Sequence, residues 1–136
     1  MSGETDLIRL LAELQPELQA DTYVFCSIRN ASYPSAAALQ PLASFQEAEG
    51  LSLVLTQQAA EAAGLACDSL YRCITLTVHS SLEAVGLTAA VATRLAQAGI
   101  SANVIAATHH DHVFVPAHQA AQALAELLQL QSEAAA

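Results

Sequence analysis

Apolar and polar residues alternate without a break in Ile74-Thr75-Leu76-Thr77-Val78-His79, and then the period changes. Strict alternation marks a strand with one buried face, whereas Leu87, Val91, Leu95 and Ala98, spaced by four, four and three, form a helical stripe. Gly99 supplies the left-handed exit that ends such a helix. The same two periods predict the remaining elements. Leu7, Leu10, Leu11 and Leu14 mark a short helix over 5–14, capped by Thr5 or Asp6 and stopped before Pro16. Residues 22–28, rich in aromatic and β-branched side chains, predict a strand, and 30–41, with two prolines, a loop. Runs at 42–46 and 51–55, separated by Glu47-Ala48-Glu49-Gly50, predict an antiparallel hairpin. Thr56 caps a brief helix over 57–63 that ends at Gly64, and 69–79 is the central strand. Strands at 102–109 and 112–115 flank a His-Asp turn. Pro116 then opens a last helix to about residue 130, with Ala120, Leu124, Leu127 and Leu128 on one face, and 132–136 is expected to fray.

Ala62-Ala63-Gly64-Leu65-Ala66 and Gln97-Ala98-Gly99-Ile100-Ser101 echo one another, each leaving a helix toward a strand. Two related halves follow as the expectation, divided as 1–67 and 68–136. Each has antiparallel strands with helices covering one face, the α+β arrangement of a ferredoxin-like βαββαβ unit. The second half reads β-α-β-β-α and lacks its final strand. That exposes a sheet edge unless the other half or another chain supplies the partner. Intertwined halves and a homodimer are therefore expected.

Composition narrows the function. A chain of 136 residues with 54% apolar content holds a substantial core. Thirteen acids against four bases, Arg9, Arg29, Arg72 and Arg94, repel a phosphate backbone and argue against nucleic acid. The absence of lysine removes Schiff-base and P-loop chemistry. Cys26, Cys67 and Cys73 are odd in number and lack C-x-x-C spacing, which reads as small buried hydrophobes in a reducing compartment. The acidic start, with Glu4 and Asp6, has no secretory pattern, and no apolar run reaches membrane-spanning length. A cytoplasmic protein without membrane attachment is expected, and no cofactor is implied.

Three sites can be drawn from the residues. In the loop 80–88, Ser80 and Glu83 fit an S-x-x-E capping box that would merely start the helix. The same loop can instead bind a ligand: Gly86 allows close backbone approach, the N–H groups near Gly86 and Leu87 receive a carboxylate, and Ser80, Ser81 or Glu83 receives an amino group. His109-His110-Asp111-His112 is dense enough in imidazole and carboxylate for Zn²⁺, but neighbours on a strand diverge, and the plainer reading is a polar hairpin tip. His79 and His118 are too remote in sequence to count as further ligands. No G-x-S-x-G supports a nucleophilic Ser80 or Ser81. Tyr23, Phe25, Phe45 and Phe114 fall in strands and read as core, while Tyr33 and Tyr71 are free to touch a ligand or partner.

At these residues the chain resembles the ACT domain, a small regulatory module that binds amino acids beside or within metabolic enzymes. The family's loop D-x-P-G-L is matched by Glu83-Ala84-Val85-Gly86-Leu87, with Glu for Asp and Val for Pro. The G-I-N-I segment after the helix is matched by Gly99-Ile100-Ser101-Ala102-Asn103-Val104, with two residues inserted. The segments 74–90, 110–116 and 45–55 resemble small stand-alone bacterial proteins of two ACT-like units, related to the cytosolic arginine-sensor group. The resemblance covers nearly the whole chain. It implies a non-catalytic protein with a ligand-binding set of Ser80, Ser81, Glu83, Val85, Gly86, Leu87, Thr88, Ile100 and Asn103. The leading expectation is a sensor of an amino acid or related metabolite at an interface between ACT units. The alternatives are a ligand-free homodimerisation or interaction module, motivated by the missing strand, and a metal-dependent enzyme using the turn at 109–112.

Overall fold

The computed structural model describes residues 6–136. Its elements are α1 (Leu7–Ala12), β1 (Pro16–Ile28), α2 (Tyr33–Ala36) running into a 3-10 turn at Ala37–Leu39, β2 (Ala43–Glu47), β3 (Gly50–Thr56), α3 (Gln57–Ala62), β4 (Tyr71–Leu76), α4 (Leu87–Gln97), β5 (Asn103–Ala106), β6 (Asp111–Pro116), and α5 (Ala120–Ala135) after a 3-10 turn at Ala117–Gln119. They form two compact units. One comprises the chain through Ala20 together with Arg72–Ala136, and the other is Asp21–Tyr71. The thirteen-residue strand β1 crosses the boundary, so its first residues belong to one unit and the rest to the other.

Within the larger unit the strand order is β1-β4-β6-β5. β5 and β6 are antiparallel, with Asn103 opposite Phe114 and Ala106 opposite Asp111. Beyond the end of β4, Thr77 N–H donates to the Gln15 carbonyl and Val78 N–H to that of Leu14. One partner number rises as the other falls, which is antiparallel order. Together with its helices this unit reads β-α-β-β-α, and its fourth strand position is taken by Pro16–Ala20, from upstream in the sequence. The open edge expected beside β4 is thus closed by the chain itself.

Ile74, Leu76, Val113 and Val115 point to one face, where Leu10 and Leu14, Leu87, Val91 and Leu95, and Ala123 and Leu127 complete a continuous core. The stripe expected on α4 is the one that is buried. Asp6 caps α1 by accepting from Arg9 N–H at 3.2 Å; Thr5, the other cap candidate, lies outside the described residues. Residues expected to fray instead extend α5 to Ala135, because Arg94 on α4 binds Glu126 through Nε at 2.9 Å and Glu133 through Nη1 and Nη2 at 2.8 and 3.0 Å.

The smaller unit repeats the order as β2-β3-β1. The expected hairpin is present, with Glu47 opposite Gly50 and Ala43 opposite Val54. Val24, Leu51, Leu53, Leu55, Ala36 and Ala60 form its core, again with the helices on one face. Thr56 Oγ1 accepts from Ala59 N–H at 3.1 Å, the predicted cap of α3. The segment 30–41 is not simply a loop: Pro34 stands in the first turn of α2, where a missing N–H costs nothing, and Ser35 Oγ ties back to both backbone groups of Ser32. Two aromatic residues read as core are exposed, Phe25 at 43% and Phe45 at 73%, whereas Tyr23 and Phe114 are buried.

The two glycine exits share one geometry. Leu65 N–H donates to the Ala60 carbonyl and Gly64 N–H to that of Glu61; Ile100 N–H donates to Leu95 and Gly99 N–H to Ala96. Both are Schellman closures, with glycine at φ +73° and +75°. They do not mark equivalent points, because α3 is the last helix of its unit and α4 the first of its own. The structural repeat lies elsewhere: residues 51–60 and 111–120 pass through the same succession of buried, half-buried and exposed positions.

Candidate functional site

The strand-to-helix passage after β4 is the candidate ligand loop. β4 ends at Leu76, and the chain continues irregularly to Leu87. Gly86, at φ +98°, is the N-cap of α4, and no side chain caps that helix. The capping box expected from Ser80 and Glu83 does not form. Ser81 Oγ accepts from Glu83 N–H at 3.1 Å, and Ala84 N–H donates to the Ser81 carbonyl at 3.0 Å, closing a turn of its own before the helix begins. A helix start leaves its first amides without helical acceptors, and among the described residues no side chain is placed to satisfy them. A side chain at Gly86 would put its Cβ 3.1 Å from Leu7 Cδ2, so the residue is held by backbone conformation and by packing against α1.

The candidate residues have different surroundings. Ser80 and Leu87 are buried, Ser81 and Gly86 half-buried, and Glu83, Val85 and Thr88 exposed, with Val85 at 83%. These seven share one loop. Ile100 and Asn103 do not join them: Ile100 is buried beyond the far end of α4, an eleven-residue helix about 16 Å long at ~1.5 Å per residue, and Asn103 is exposed at the start of β5.

The histidine-rich turn packs beside the base of this loop. His109 and His79 rings lie 5.5 Å apart, His109 and His110 6.3 Å, and His110 Nδ1 is 3.3 Å from the Val78 carbonyl oxygen. His79, too distant in sequence to pair by spacing, is thus brought to the turn by the fold. Among the described residues no group of three or more His, Cys, Asp or Glu side chains is disposed to hold a metal ion. Asp111 is buried, which pushes its carboxyl above the ordinary range, with His112 and His110 opposing. Burial pulls His112 below its ordinary value, as does His110, while Asp111 opposes.

A polar chain on the sheet escaped the sequence reading. Gln19 Nε2 donates to Thr75 Oγ1 at 3.1 Å, and Thr75 Oγ1 is 3.0 Å from His112 Nδ1. Thr75 Oγ1 thus links the Gln19 amide to the His112 ring through two hydrogen bonds. Alternation showed Thr75 as the polar face of β4 but not that this face is itself closed, leaving Thr75 only 8% exposed.

Helices on one face of antiparallel sheets, in repeated β-α-β-β-α order with a borrowed strand, define a ferredoxin-like α+β protein built from two units. ACT domain models match residues 2–72 and 68–129, and the chain belongs to the ACT domain family. Among solved structures it is similar to a protein of unknown function from Vibrio cholerae, described as a possible transport protein. That match has 51% identity and a TM-score of 0.84, over 92% of this chain and 95% of the other. The fold is also shared with the regulatory subunit of aspartate kinase from Thermus thermophilus, at 14% identity and TM-score 0.57, over 85% and 95% of the two chains. Aspartate kinase from Clostridium acetobutylicum aligns at 9% identity and TM-score 0.58, over 87% of this chain and 34% of the enzyme. No curated protein matches the sequence. Among the described residues no helix is long and apolar enough to cross a membrane.

Proposed function

We propose that this ACT protein is a non-catalytic, cytoplasmic regulatory module that binds a small molecule, an amino acid by preference, at the loop 80–88. The observation that carries the reading is Gly86 at φ +98°, opening α4 without a side-chain cap. The amides at the helix start favour a carboxylate through their partial positive charge. Glu83, exposed on the same loop, is the partner for an ammonium, with the Ser80 and Ser81 hydroxyls as further acceptors. Val85 and Thr88 border the ligand. Ile100 and Asn103 lie away from this loop within one unit, so their part in the site requires a second ACT unit, in keeping with action as a homodimer. The family's regulatory role and the fold shared with an aspartate kinase regulatory subunit support the class of function.

Calorimetric titration with the twenty amino acids tests this reading. At least one should bind with micromolar to millimolar affinity, as expected of about two or three charge-assisted contacts. Gly86→Val should abolish the heat. A flat response to all twenty from the folded protein would overturn it.

The second reading, a ligand-free interaction module, draws support from the same loop: Leu82 and Val85 are both exposed large hydrophobics. Light scattering separates the two, since an interaction module keeps its oligomeric state irrespective of amino acids and loses it on Leu82→Ser with Val85→Ser.

A further inference from the structure

A cavity of about 360 Å³ opens in the smaller unit, between β1 and the segment that follows α3. Phe25, Cys26 and Ser27 form one wall and Leu65, Asp68 and Ser69 the other. Its size falls at the lower end of small-molecule sites, roughly 300–1,000 Å³. Phe25 is held by an edge-on contact with Tyr71, ring centroids 5.1 Å apart at 75°. That contact holds in place an aromatic ring that lines the cavity and is 43% exposed.

Asp68 is the acid in this hollow, and among the described residues it makes no hydrogen bond or ion pair. No described arginine pairs with it. Arg94 is taken by Glu126 and Glu133, and Arg72 donates through Nη2 to the Gln19 carbonyl at 2.6 Å. A carboxylate with two hydroxyls and an apolar ring for neighbours accepts hydrogen bonds from a cation and presents a surface for a short hydrocarbon stem. A net charge of −9 draws cations and turns anions away.

We propose that this cavity binds a small alkylammonium ion. The ammonium donates to Asp68, with Ser27 and Ser69 as additional acceptors, and the stem lies along Phe25 and Leu65. The site uses none of the residues of the loop 80–88, so it stands whether or not that loop binds an amino acid.

Amide NMR of the full chain, titrated with butylammonium chloride and in parallel with butan-1-ol and sodium butyrate, tests the proposal. Butylammonium should give saturable shifts centred on residues 25–27 and 65–69, while the neutral and anionic analogues give none. Asp68→Asn, isosteric and on an exposed position, should weaken binding at least tenfold. Ala66 also lines the cavity, and Ala66→Trp, which adds bulk there while keeping the carboxylate, should block binding. Shifts of equal size with butan-1-ol, undiminished binding in Asp68→Asn, or no saturable shift at these residues would each overturn the assignment. Binding at the loop 80–88 reads out on separate amides, which separates this test from that of the amino-acid loop.

Discussion

Gly50 occupies a backbone conformation, φ +150°, that side chains rarely adopt, and an added Cβ would stand 2.7 Å from the Ile28 carbonyl oxygen. Because that oxygen belongs to a paired strand and not to a flexible side chain, Gly50→Ala should destabilise the protein by about 2–3 kcal/mol, read from denaturant unfolding. The glycine was visible in the sequence as part of a hairpin turn, but the carbonyl it must clear comes from β1 and was not. Asp111 and His112 give a second prediction. A carboxyl whose folded value is raised stabilises only as pH falls through that value, and at neutral pH its buried charge is a cost. Asp111→Asn should therefore be more stable than the parent near pH 8, with the gain shrinking in acid. A histidine whose folded value is lowered contributes stability above its ordinary 6.5 and loses it as pH falls below. Thermal melts between about pH 5 and pH 8 should accordingly show a flatter acid limb for His112→Asn.

Elements were legible where their chemistry was local. Thr56 with its short helix, the stripe on α4 and both Schellman exits are written in a few adjacent residues, and each appears as read. Thr56→Ala should cost about 1 kcal/mol, since it leaves the Ala59 amide without its acceptor. Elements set by distant contacts are not legible in this way. β1 begins at Pro16, six residues before its apolar run, because Glu17–Ala20 takes its strand conformation from pairing and not from propensity. The end of α5 was expected to fray, yet Arg94 on another helix holds Glu133 in a two-point fork. Arg94→Ala should speed amide exchange over residues 130–135 while leaving β4 and β6 protected. Of the candidate loop, the glycine and the helix start are readable, but the S-x-x-E pattern also offers Ser80 as a side-chain cap, and six residues separate it from the first residue of α4.

At the scale of the molecule, the larger unit is assembled from both ends of the chain. Residues 72–136 expressed alone lack Pro16–Ala20, the strand beside β4, and also Leu10 and Leu14 of the core. They should show no cooperative thermal transition and should aggregate through the bared edge, as light scattering would report. Periodicity by itself determined the number and kind of most strands and helices, the α+β class and the position of the glycine loop before α4, because these depend on neighbours within a turn or two. Only the tertiary structure decided which strand fills the fourth place, that His79 meets His109, that Gln19 reaches His112 through Thr75, and that a lone carboxylate at Asp68 faces an open cavity. Each of these joins residues from separate elements. A pattern along one strand records which side is apolar, not what is brought against it.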